Sequence, residues 1–78
     1  MNHVGTTVEI FRTNIATLDA ANLVIRTLSG HLHSCRINID LHDCDKILRI
    51  EGTPCEINTR LVAGIVSELG HEIQLIED

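Results

Sequence analysis

Residues 35–41, Cys-Arg-Ile-Asn-Ile-Asp-Leu, alternate apolar and polar at every position, and this constrains the fold more than any other stretch. A period of two puts Cys35, Ile37, Ile39 and Leu41 on one face of a strand and Arg36, Asn38 and Asp40 on the other. Four polar, turn-forming residues follow (His42, Asp43, Cys44, Asp45), and residues 46–52 (KILRIEG) alternate again, with Leu48 and Ile50 on one side. The centre of the chain is therefore a β-hairpin with one buried face.

The flanking segments repeat one theme. Residues 7–13 (TVEIFRT) are β-branched or aromatic at most positions and predict a strand with Phe11 on one face and Val8 and Ile10 on the other. Across residues 18–32, Leu18, Ala21, Val24, Ile25, Leu28 and Leu32 form a helical stripe. Thr17 is placed to cap this helix, Asp19 suits its positive end and Gly30 is placed to end it. Residues 53–56 (TPCE) read as a capping box with Pro54 at the first helical position. Ile57, Leu61, Val62, Ile65, Val66 and Leu69 then give a second stripe, closed by Gly70. The last segment, HEIQLIED, predicts a strand with Ile73 and Leu75 inward and Ile76 outward.

The order strand, helix, strand, strand, helix, strand, with right-handed crossovers on either side of the hairpin, predicts an α+β, ferredoxin-like βαββαβ sandwich. A four-stranded antiparallel sheet carries both helices on one face. Seventy-eight residues make one small domain, residues 1–78, with a mainly aliphatic core, since there is one Phe and no Tyr or Trp.

Charge narrows the range of functions. Six Lys and Arg against eleven Asp and Glu leave a net −5, and the basic residues are scattered. Phosphate binding needs a basic face and single-strand binding needs aromatic platforms, so nucleic acid is not the expected partner. No apolar run is long enough to span a membrane, and residues 1–5 do not read as an export signal, which predicts a cytoplasmic protein with no membrane partner. Three cysteines without CxxC spacing (Cys35, Cys44, Cys55) read as free thiols in a reducing compartment.

Three of the five histidines and two of the three cysteines fall between His31 and Cys44, which raises the question of a metal site. A strand over 35–41 separates Cys35 from His42 by about 23 Å, so one ion cannot take ligands from both ends. Two half-sites remain: His31, His33 and Cys35 before the strand, and His42, Cys44 and nearby acids at the hairpin tip, where Asp40, Asp43 and Asp45 could hold only a weak hard-cation site. Neither has the spacing of a metal motif. No nucleophile is set beside a base in the sequence, and phosphate-cradling glycine loops are absent, so a non-enzyme without a cofactor is expected.

The segment FRTNIATLDA, together with INIDL (37–41), LRIEG (48–52) and ELGHEIQLI (68–76), resembles the heavy-metal-associated domain family of small copper and mercury carriers and metal-pumping ATPase modules. The resemblance covers most of the chain. It implies the ferredoxin-like fold and a loop after the first strand that reads Met-x-Cys-x-x-Cys, whose two thiolates hold a soft ion. The matching positions here are Ile15 to Ala20, which places Thr17 and Ala20 where the ligands stand, so the resemblance implies a degenerate member without the cysteine pair. A hydroxyl and a methyl do not replace two thiolates for Cu(I). The family position after the second-helix glycine, near the metal loop, is His71. The expected function is a small interaction module working through protein–protein contacts. The alternative is a divergent metal binder using His31, His33, Cys35 or His71.

Strand parity leaves Val8, Ile10, Ile47 and Ile76 on the helix-free face of the sheet. They are expected to form a contiguous patch for a protein partner or for a second copy in a homodimer. Leu18, at the start of the first helix, is expected to turn to the core.

Overall fold

The computed structural model describes residues 5–53 and 56–77. Its elements run β1 (Thr7–Thr13), α1 (Leu18–His31), β2 (Arg36–Asp40), β3 (Ile47–Gly52), α2 (Thr59–Glu68) and β4 (Ile73–Ile76). The strands form one antiparallel sheet in the order β2-β3-β1-β4, the arrangement expected of a ferredoxin-like sandwich. Phe11 pairs with Leu48 on one side and Leu75 on the other, and Ile37 pairs with Ile50. Directly opposed residues share a face, so this register puts Phe11, Leu48, Ile50, Ile37, Ile39, Ile73 and Leu75 on the helix side together.

That side is the core. Phe11, Leu48 and Ile50 meet Ala21, Val24 and Leu28 of α1 and Val62 and Val66 of α2 in one buried cluster. Ile15, Leu32 and Ile57 close it from the connections. Each of these side chains larger than Ala21 contributes roughly 1.5–3 kcal/mol by leaving water. The inward face of β2 is half-buried only, because β2 is an edge strand.

Helix ends follow local chemistry. Thr17 caps α1 as expected, its Oγ1 accepting the Ala20 N–H at 3.1 Å. Gly30 does not end α1: the helix continues to His31, and Leu32, itself buried, closes it with its N–H on the Leu28 carbonyl. α2 ends at Gly70 as expected. Gly70 adopts φ +96°, and the N–H groups of Gly70 and His71 donate to the Ser67 and Val66 carbonyls. This pair of bonds is a Schellman closure, which needs the left-handed conformation that glycine takes freely.

Three expectations are corrected. α2 starts at Thr59 and is capped by Asn58, whose Oδ1 accepts the Leu61 N–H, while the Thr53 carbonyl instead accepts from Glu56 N–H in a separate turn. Pro54, and the thiol of Cys55, lie outside the described residues. Leu61 falls in the first turn of the shorter helix and is 38% exposed. Leu18 is 65% exposed rather than turned to the core, because Ile15, one residue before the Ala16–Thr17 turn, already fills the space beneath the start of α1.

Thr13 is a buried polar side chain within this apolar layer. Its hydroxyl donates to the Lys46 carbonyl at 2.6 Å and accepts from the Ile15 N–H at 3.1 Å. Thr13→Val keeps the shape and leaves both partners unpaired, so it should cost about 2–3 kcal/mol in urea denaturation followed by circular dichroism. Thr13→Ser, which keeps the hydroxyl, should lose less than half as much.

Candidate functional site

Three connections converge at the end of the sheet where β1 stops. They are the β1–α1 turn (residues 14–17), the hairpin tip (41–46) and the α2–β4 turn (69–72). The Thr13 N–H donates to the Asp45 carbonyl, and Thr13 Oγ1 to that of Lys46, which fixes the tip against β1. Asn14 does the same for the third connection: its N–H donates to the Glu72 carbonyl at 3.3 Å and its Oδ1 accepts the Glu72 N–H at 2.9 Å. Arg12 Nε lies 3.5 Å from Asp45 Oδ1, but both side chains are about half exposed, so this pair adds at most about 1 kcal/mol.

Thr17 and Ala20 sit at this end, at the start of α1. Thr17 has an extended backbone (φ −121°, ψ 154°), and its hydroxyl oxygen is already engaged by the Ala20 N–H. Ala20 presents a methyl packed against the core. Residues 14–20 hold no sulfur, and this donor set does not fit a soft cation. Leu18 stands exposed between the two positions.

The hairpin tip is held by its own side chains. Asp40 Oδ1 accepts the His42 N–H, Asp43 Oδ1 accepts the Asp45 N–H, and Lys46, at φ +47°, donates its ammonium to the Leu41 carbonyl. Among the described residues, Asp43, Cys44 and Asp45 form the group of three whose ligand atoms lie within 4.8 Å of one another. The sequence offered Cys44 and the acids of this tip as a half-site, favoured turn chemistry there, and grouped Asp43 and Asp45 with Asp40, whose carboxylate caps His42 instead. Burial is slight, with Cys44 exposed.

His71 belongs to the same end as the tip, half-buried after the Schellman turn. His31, His33 and Cys35 lie at the other end, between α1 and β2. The seven residues of β1 separate the two ends by roughly 20 Å, so His71 cannot join the other three in one site. His31 and His33 line a shallow hollow of about 330 Å³ with Leu32, Ser34 and Glu56.

Cys35 is placed differently. It packs half-buried against the core, close to Gly52, where an added Cβ would stand 2.7 Å from its Sγ. Burial, and secondarily the negative charge of Glu56, push its thiol above the ordinary range. A raised pKa opposes the thiolate that both metal binding and nucleophilic attack require.

On the open face, Ile10 stands opposite Ile76 on β4 and opposite Arg49 on β3, and Val8 stands opposite Glu51. Val8 and Ile76 are exposed, and Ile10 and Ile47 are half-buried. Val8, Ile10 and Ile76 are neighbours. Ile47, opposite Asp40, reaches Ile10 only on the diagonal past Arg49, so this face mixes aliphatic and charged residues.

No protein-family model matches the chain, and no curated protein matches it. Among solved structures, it is similar to the N-terminal domain of a potential copper-translocating P-type ATPase from Bacillus subtilis, determined in solution in the Cu(I)-loaded state. The likeness has a TM-score of 0.70 over 91% of this chain and 88% of that one, at 19% identity. The likeness shows a shared ferredoxin-like fold, and at that identity it speaks for the backbone alone. No helix among the described residues is long and apolar enough to cross a membrane.

The thiols give a direct check. Cys35, with its raised pKa and partial burial, should be alkylated by iodoacetamide at pH 8 at least about tenfold more slowly than exposed Cys44, read by peptide mass spectrometry. Denaturant should remove the difference. Because the folded state holds the Cys35 proton more tightly, the stability this contributes is complete below the unfolded thiol pKa and is lost as pH rises through the folded one.

Proposed function

We propose that this chain is a non-catalytic binding module that acts through protein–protein contacts on a heavy-metal-associated frame whose ion-capturing turn has become an ordinary helix start. The observation that carries this is the Thr17 hydroxyl, spent on the Ala20 N–H, beside an exposed Leu18. A side chain of that kind at the tip of a fixed turn suits contact with another apolar surface and contributes nothing to ion capture. The open face adds Val8, Ile10 and Ile76, with Ile47 set apart, as further contact residues. Free thiols at Cys35 and Cys44 accord with a cytoplasmic setting.

The copper described for the Bacillus subtilis domain supports a common frame, and restoring sulfur tests whether the positions correspond. Thr17→Cys/Ala20→Cys should retain one Cu(I) against a chromophoric chelator at least about 100-fold more tightly than the wild type, or about 2.8 kcal/mol. Stoichiometric retention of Cu(I) by the wild type would refute the metal-free function. A double variant no better than wild type would refute the placement of the ligand positions.

A second reading, a divergent metal binder, is favoured by the closeness of Asp43, Cys44 and Asp45. It predicts micromolar or tighter Zn(II) binding by calorimetry, abolished by Cys44→Ser. The metal-free reading predicts no saturable heat in either protein.

A further inference from the structure

The sheet ends on one side at β2, and β2 is an unprotected edge. It pairs with β3 residue for residue from Arg36 to Asp40, with no bulge, and contains no Pro, Gly or Lys to discourage a further strand. The opposite edge, β4, is shorter and is bracketed by Glu72 and Glu77, with no basic residue between them. Two copies meeting there would oppose like charges.

The β2 sequence, Arg-Ile-Asn-Ile-Asp, is complementary to its own reverse. Turned antiparallel about Asn38, it places Arg36 opposite Asp40 of the second copy, Ile37 opposite Ile39, and Asn38 opposite itself. Every opposed pair keeps its face, as an antiparallel ladder requires. The charged pairs fall on the open face, and the isoleucines extend the half-buried helix-side layer. Among the described residues Arg36 makes no ion pair, although it stands opposite Glu51 on β3; the ion pair there is Arg12–Asp45. Asp40 engages Oδ1 with the His42 N–H and leaves its second oxygen for an arginine.

The helix above adds to this. α1 packs on β2, so pairing the strands lays two α1 helices side by side and antiparallel. Leu18 and Ile25, seven residues apart, lie about a quarter-turn round α1 from Ala21, Val24 and Leu28. The right-handed crossover turns that flank toward the β2 edge, so it lines the seam. Exposed Leu18 and half-buried Ile25 are covered there.

We propose that two copies of this chain associate through antiparallel β2–β2 pairing centred on Asn38, joining two four-stranded sheets into one of eight. The interface is isologous and lies at the sheet edge, apart from the open face.

The test uses charge exchange at two exposed positions, with far-ultraviolet circular dichroism to verify folding. Arg36→Asp sets a second carboxylate against Asp40 of the other copy, and Asp40→Arg opposes two guanidinium groups. Each should weaken dimerisation in sedimentation equilibrium at least about tenfold. Mixed one to one, the two variants are complementary at both pairs, and native mass spectrometry should show a heterodimer of near wild-type affinity. Three results would overturn the proposal: a wild type still monomeric at about 1 mM, a mixture no tighter than either variant alone, or dimerisation lost in Ile10→Glu and retained in Arg36→Asp.

Discussion

The buried hydroxyl of Thr13 decides how one end of this molecule is arranged. It joins the carbonyl of Lys46, at the return of the hairpin, to the amide of Ile15, at the exit from β1. A hydrogen bond in an apolar setting is worth little when made and much when one partner is missing, so the two loops are held in one relative position. Asn14 and Glu72 extend the tie to the third connection. The turn that opens α1 is therefore presented on a rigid platform, whatever side chains it carries.

What that platform carries is set by side-chain chemistry and not by the frame. A backbone alike over nine-tenths of the chain accompanies Cu(I) in the Bacillus subtilis domain, yet residues 14–20 here contain no sulfur. The likeness is one of fold. Elsewhere, His71 lies a sheet-length from His31, His33 and Cys35, and burial raises the pKa of the Cys35 thiol beside Gly52.

Much of this was legible in the sequence, for definable reasons. Alternation in β2 and β3 reports directly on which face meets the helices, and the Thr17 cap and the Gly70 stop are local chemistry that tertiary contacts do not override. The failures lie where two local signals compete. Thr53 and Asn58 both have capping side chains, and Asn58, next to the buried Ile57, is the one that starts α2. Leu18 and Leu61 were grouped with their stripes by spacing, but Leu18 lies about a quarter-turn from Ala21, Val24 and Leu28, and Leu61 about 100° round from buried Val62. The proximity of Asp43, Cys44 and Asp45 goes with the tight turn in which the Asp45 N–H donates to Asp43 Oδ1 and the Lys46 N–H to the Asp43 carbonyl, bonds that the sequence does not announce.

The Thr17 cap has a consequence for how the molecule meets changing surroundings. A paired-sulfur loop would take different shapes when oxidised, reduced or loaded with an ion. A hydroxyl bonded to the amide three residues along has no such states. The head of α1 is therefore held in one shape by a bond that neither oxidation nor a soft ion alters.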